Sequence, residues 1–137
     1  MSRGPEFSVS TPSVTVHFSR VDRRYEPLGR IDVRYLVDTG GAVVRAMERS
    51  MLWYTEGKGE EDIGVHHFER ITERATAAAA EGTFGCDLPC SPLSYEGVIV
   101  KIRWCVRVRL FFVGGRDFIS EHVFDLGAVP AAQLLSR

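Results

Sequence analysis

Between Val98 and Phe112 the chain reads VIVKIRWCVRVRLFF, and every second residue is apolar: Val98, Val100, Ile102, Trp104, Val106, Val108, Leu110 and Phe112. The intervening positions include Lys101, Arg103, Arg107 and Arg109. A strand sends successive side chains to opposite faces, whereas a helix would scatter these arginines around its circumference. The run therefore predicts one half-buried strand, roughly 50 Å long if straight.

Gly114-Gly115 ends this strand, and DFISEHVFDLG returns from it. A two-residue loop would set Asp117 and Glu121 on the buried face, opposite Phe112 and Val108. A three-residue loop, Gly114 to Arg116, sets Phe112 opposite Phe118, Val106 opposite Phe124 and Arg109 opposite Glu121. A slip of one residue exchanges the two faces, so burial selects the longer loop. The expected core is then Trp104, Val106, Phe112, Phe118 and Phe124, with His122 on the buried side.

Upstream, RIDVRYLVD alternates Ile31, Val33, Tyr35 and Val37 with charged residues, and SVTVHFS (Ser13 to Ser19) places Val14, Val16 and Phe18 on one side. AVVRAMERSMLWY mixes helix-favouring and strand-favouring residues, and glycines bracket it on both sides. It reads as a strand, with or without a bulge. Val65 to Thr72 reads as a strand followed by a variable connection across the alanines, and TFGCDL as a short strand with Phe84, Cys86 and Leu88 on one face. About seven strands separated by turn signals predict an all-β fold, an immunoglobulin-like antiparallel β-sandwich. The domain is expected over residues 13–127, with a flexible N-terminal segment at 1–12 and a C-terminal tail at 128–137. Pro130 would open one helical turn in that tail.

A chain of 137 residues can bury about two thirds of its unfolded surface without staples. Its net charge of −1 exerts no global pull on nucleic acid or anionic membrane. No apolar run is long enough to span a bilayer, and the first residues lack the apolar core of a signal peptide. Three cysteines are then expected as reduced thiols in a cytoplasmic protein.

One segment carries a resemblance. Phe84, Leu88-Pro89, Pro92, Ser94-Tyr95 and Gly97, followed by the alternating run Ile102 to Leu110, resemble the arrestin-fold proteins, above all the α-arrestins and the arrestin-like subunit of retromer. The resemblance is specific from Phe84 to Leu110 and extends loosely from Ser13 to Gly127. It implies an immunoglobulin-like sandwich that serves as a protein-binding scaffold, often in membrane traffic. Arrestins have two such lobes, and this length suffices for one. The chain has no Pro-Pro-x-Tyr motif, and no positions match the phosphate-sensing basic strand or the polar core of the visual arrestins. The residues themselves agree with a turn in that segment: Pro89 and Pro92 donate no ladder bonds, Gly97 lets the chain turn, and Tyr95 suits a sandwich edge.

Chemical readings of the same residues are weaker. Zinc asks for four converging ligands, but Cys86 faces inward while Cys105 lies on the strand face opposite Trp104. Adjacent His66 and His67 on a strand are also expected to point to opposite faces. A cysteine nucleophile needs a nearby base, and His122 lies on the wrong face for Cys105. Ser94-Tyr95-Glu96 forms no hydrolase elbow, Gly57-Lys58-Gly59 lacks the spacing of a phosphate loop, and TEGKGEED reads as a solvated acidic turn. No catalytic residue, metal or cofactor is expected.

The basic ladder Lys101, Arg103, Arg107 and Arg109 remains as the candidate binding site. Acidic residues of flanking strands would neutralise it; otherwise it would dock an acidic or phosphorylated peptide, or an anionic head group. The expected function is a non-enzymatic, arrestin-like adaptor or scaffold with a protein or peptide partner, an acidic one on the ladder reading. A self-associating assembly module (a homo-oligomer) is the alternative, and a small cysteine-dependent enzyme the third. Nucleic acid is not an expected partner.

Overall fold

A computed structural model describes residues 11–72 and 81–127. Nine strands follow in order: β1 (Ser13–Phe18), β2 (Arg24–Tyr25), β3 (Arg30–Asp38), β4 (Val44–Gly57), β5 (Ile63–Thr72), β6 (Glu81–Asp87), β7 (Tyr95–Glu96), β8 (Val100–Phe112) and β9 (Asp117–Leu126). Seven of these are full strands; β2 and β7 are two residues each. The connection across the alanines and the turn at Pro130 lie outside the described residues.

The strands form two sheets. The smaller is ordered β1-β3-β6, and the larger β2-β9-β8-β4-β5, with β7 pairing β8 beside that path. Every ladder is antiparallel except β2 with β9. The chain is thus an all-β sandwich. Alternation along each strand supplies the inner layer: Ile31, Val33 and Tyr35 from β3 meet Met47 and Met51 of β4 and Trp104, Val106, Val108, Leu110 and Phe112 of β8. Trp104, Val106, Phe112 and Phe124 are at most 2% exposed, and Phe118 packs partly buried against them.

The hairpin loop is three residues long, but it begins one residue earlier than expected. Phe112 N–H donates to the Arg116 carbonyl at 2.9 Å, leaving Val113, Gly114 and Gly115 as the loop. Such a loop wants a positive φ at its last residue, and Gly115 supplies +93° where Arg116 would be strained. Partners therefore slide by two residues: Trp104 faces Phe124, Leu110 faces Phe118, and Arg107, not Arg109, faces Glu121. An even slide keeps every side chain on its expected face.

Two further expectations are corrected. Val98 is fully exposed, because Gly97 N–H bonds the Val100 carbonyl at 3.1 Å and makes Val98 and Ile99 the tip of the β7–β8 turn. The histidines do not point apart. The β4–β5 register shifts between Met51 and Leu52, so that Met51 faces His67, Leu52 faces Val65, and His66 is the extra residue. A bulge of this kind puts two consecutive side chains on one side. His66 Nε2 lies 2.7 Å from the Asp87 carbonyl at the end of β6, and His67 Nε2 lies 2.7 Å from Glu69.

Candidate binding face

The outward face of β8 carries Lys101, Arg103, Arg107 and Arg109 in one row, as its alternation dictates. Each cation meets an acid from a flanking strand. Lys101 Nζ lies 3.1 Å from Glu96 of β7, and Arg103 bridges Glu56 of β4 at 2.9 Å and Glu96 at 3.2 Å. Arg107 pairs with Glu121 at 2.6 Å, and Arg109 with Asp117 at 2.6 Å, both on β9. The hydrogen bond from Lys101 holds the Glu96 carboxyl below its usual range, and the bond to Glu56 raises the Arg103 guanidinium. These groups are partly exposed, so water screens each pair and its contribution to folding is small. The stripe is brought together as expected, in the form of a two-sign ladder.

Between Arg103 and Arg107 the face is apolar. Cys105 also points outward, opposite Leu52 on β4 and Val123 on β9, yet Cys105 and Leu52 are essentially inaccessible. Long neighbouring side chains cover them. Burial pushes the Cys105 thiol up to about 12, so the adjacent arginines do not make it a thiolate. Cys86 is buried on the inner side with its Sγ 3.5 Å from Met51 Sδ, and burial pushes it up to about 11. Cys90 is exposed. Beside the Arg107–Glu121 pair, Tyr54, Glu56, Asp62 and Ile63 line an open recess of about 570 Å³.

Other polar groups that organise this region carry little sequence signal. The indole N–H of Trp104 donates to the Pro92 carbonyl at 2.8 Å. Ser94 donates its N–H to the Leu126 carbonyl and accepts the Leu126 N–H on its hydroxyl, both at 2.9 Å. The Pro-and-Ser segment thereby becomes a strap from β6 to the end of β9. Arg49 lies on the inner side of β4, pairs with Glu69, donates to the Tyr35 hydroxyl at 3.0 Å, and sits 5.1 Å from the Phe84 ring centre. Its phase was a signal: it falls two residues from each of the buried Met47 and Met51. His122 projects inward, as expected, and lies 2.6 Å from Ser120 Oγ.

No protein-family model matches the chain, and no curated protein matches it. Among solved structures, the crystal structure of Spo0M, a sporulation control protein from Bacillus subtilis, superposes with a TM-score of 0.58 at 16% identity. The match covers 89% of this chain and 51% of that one, so the chain spans about half of Spo0M. The fold is arrestin-like. Among the described residues no helix is long and apolar enough to cross a membrane, and no cluster of three or more potential metal ligands occurs.

Proposed function

We propose that this chain is a non-enzymatic adaptor domain that docks an acidic protein or peptide on the outward face of its larger sheet, with Lys101, Arg103, Arg107 and Arg109 as the binding row. The observation that carries the reading is the placement of four cations in one line on a solvent-facing sheet. Their acids come from other strands and are themselves one-third to three-fifths exposed. A carboxylate-rich segment lying along β8 would take over these partners one by one, with Arg forks reading carboxylate pairs. The arrestin-like sandwich supports a scaffold role by analogy of fold. Two buried, neutral thiols argue against a cysteine enzyme. In this reading the working unit is residues 13–127, in the cytoplasm, and nucleic acid is no partner because a net charge of −1 exerts no global pull on a polyanion.

The test is capture of a poly-glutamate peptide by the wild-type chain and by Lys101→Glu/Arg103→Glu. Both side chains face outward, so the circular dichroism of the variant should be unchanged while capture is lost. Wild-type binding should weaken as ionic strength passes about 0.15 M, where screening acts within about 8 Å. Unchanged capture in a correctly folded double variant would sink the proposal.

A further inference from the structure

Strand β5 is the edge of the larger sheet, and among the described residues nothing pairs with its outer side. Exposed edges are ordinarily blunted, because a row of open N–H and C=O groups templates another strand. The opposite edge shows such protection: β2 covers Asp125 and Leu126, and the Arg23 guanidinium donates to the Val123 carbonyl at 3.3 Å. On β5 the outward side chains are instead led by Ile63, Val65 and Phe68, which are 51%, 57% and 54% exposed, and only then come Arg70, which is paired with Glu48 of β4, and Thr72. A bulge at His66 shortens the regular part of this edge but leaves Phe68 to Thr72 in continuous register with β4. An edge that is both open and apolar is built to be covered.

We propose that β5 pairs antiparallel with β5 of a second copy, about a two-fold axis through Phe68, so that the two larger sheets become one. Charge selects both the occupant and the register. An axis through Glu69 would oppose two carboxylates, and one through Arg70 would oppose two guanidiniums; like charges directly opposite destabilise a ladder. The axis through Phe68 sets ring against ring, and sets Glu69 of each copy opposite His67 of the other, twice. With the bulge residue His66 skipped on each strand, Arg70 then faces Val65 and Thr72 faces Ile63, which keeps outward residues with outward residues. A two-fold pairing is self-complementary only if its central residue tolerates its own image, and Phe68 does so through an aromatic pair.

The experiment uses that self-opposition. Light scattering of the wild-type chain across a concentration series should give twice the 15.3 kDa monomer mass. Phe68→Glu and Phe68→Lys should each be monomeric with wild-type circular dichroism, since each sets a charge against itself. Mixed in equal amounts, the two should restore the dimer, and β5 amides should slow their hydrogen exchange in the mixture relative to either variant alone. A wild-type monomer at every concentration would overturn the proposal, as would a dimer that both variants leave intact. A mixture that stays monomeric would overturn the Phe68 axis. These outcomes are independent of poly-glutamate capture, which is read on the face of β8.

Discussion

The indole N–H of Trp104 donates to the carbonyl of Pro92 at 2.8 Å, so β8 is tied through its buried aromatic to the strap that precedes it. Trp104 is fully buried and packs against Phe124 at a ring-centre distance of 6.0 Å. Trp104→Ala should cost about 3–5 kcal/mol in urea melts, from lost burial and the cavity left behind. Trp104→Phe should cost less than Trp104→Ala, since it keeps most of the packing but orphans the Pro92 carbonyl. A loss below about 1 kcal/mol for Trp104→Ala, less than ordinary core truncations cost, would contradict this placement.

The pair Arg49 and Glu69 closes the sandwich between β5 and the smaller sheet. Removing the cation alone, in Arg49→Met, leaves Glu69 with His67 as its remaining partner and should cost about 1–2 kcal/mol, below the cost of breaking a fully buried pair because Glu69 is about one-third exposed. Glu69→Gln in that background should recover part of the loss. A double-mutant cycle that shows strict additivity would remove the ion pair as a stabilising contact.

Acid sensitivity follows from the same carboxylate. The hydrogen bond to His67, with desolvation opposing it and Arg49 assisting, holds Glu69 below its usual range. Its stabilisation is therefore present above the unfolded carboxylate value and is lost as pH falls through the lowered folded one. The stability difference between wild type and Glu69→Gln should be largest near neutral pH and shrink in acid. A difference that does not vary between neutral pH and the acid transition would refute the assignment.

Thiol chemistry separates the three cysteines. Cys86 and Cys105 are buried with thiols pushed up to about 11 and about 12, whereas Cys90 is exposed. At pH 8 a thiol reagent should modify one cysteine per native chain, at Cys90, and all three after denaturation. Rapid labelling of Cys105 in the native protein would show that the cover on the outward face is loose. Zinc content should stay at background with and without Cys86→Ser/Cys90→Ser.

Gly57 closes β4 at a φ of +129°, and a Cβ there would run into the Ile99 carbonyl of the β7–β8 turn. Gly57→Ala should therefore destabilise the chain by about 1–3 kcal/mol through backbone strain, measurable as a lowered urea midpoint with an unchanged slope.

Alternation alone determined the layers of this protein. Period-two patterning from Val100 to Phe112 and from Arg30 to Asp38 decided which side chains enter the core, because a strand offers only two faces. The same parity placed Lys101, Arg103, Arg107 and Arg109 on one outward row and kept the hairpin faces correct although the loop began one residue early. Tertiary structure decided everything that depends on which strands become neighbours and where the ladder breaks. The bulge at His66 turned two adjacent histidines to the same side, a choice set by β4 and not by the His-His pair itself. The register that gave Glu121 to Arg107 was set by the positive φ at Gly115. Burial of the outward-facing Cys105 and of the charged Arg49 came from side chains on other strands. Such facts are pairings across the sheet or between layers, and local periodicity carries phase along a strand but no information about the partner opposite.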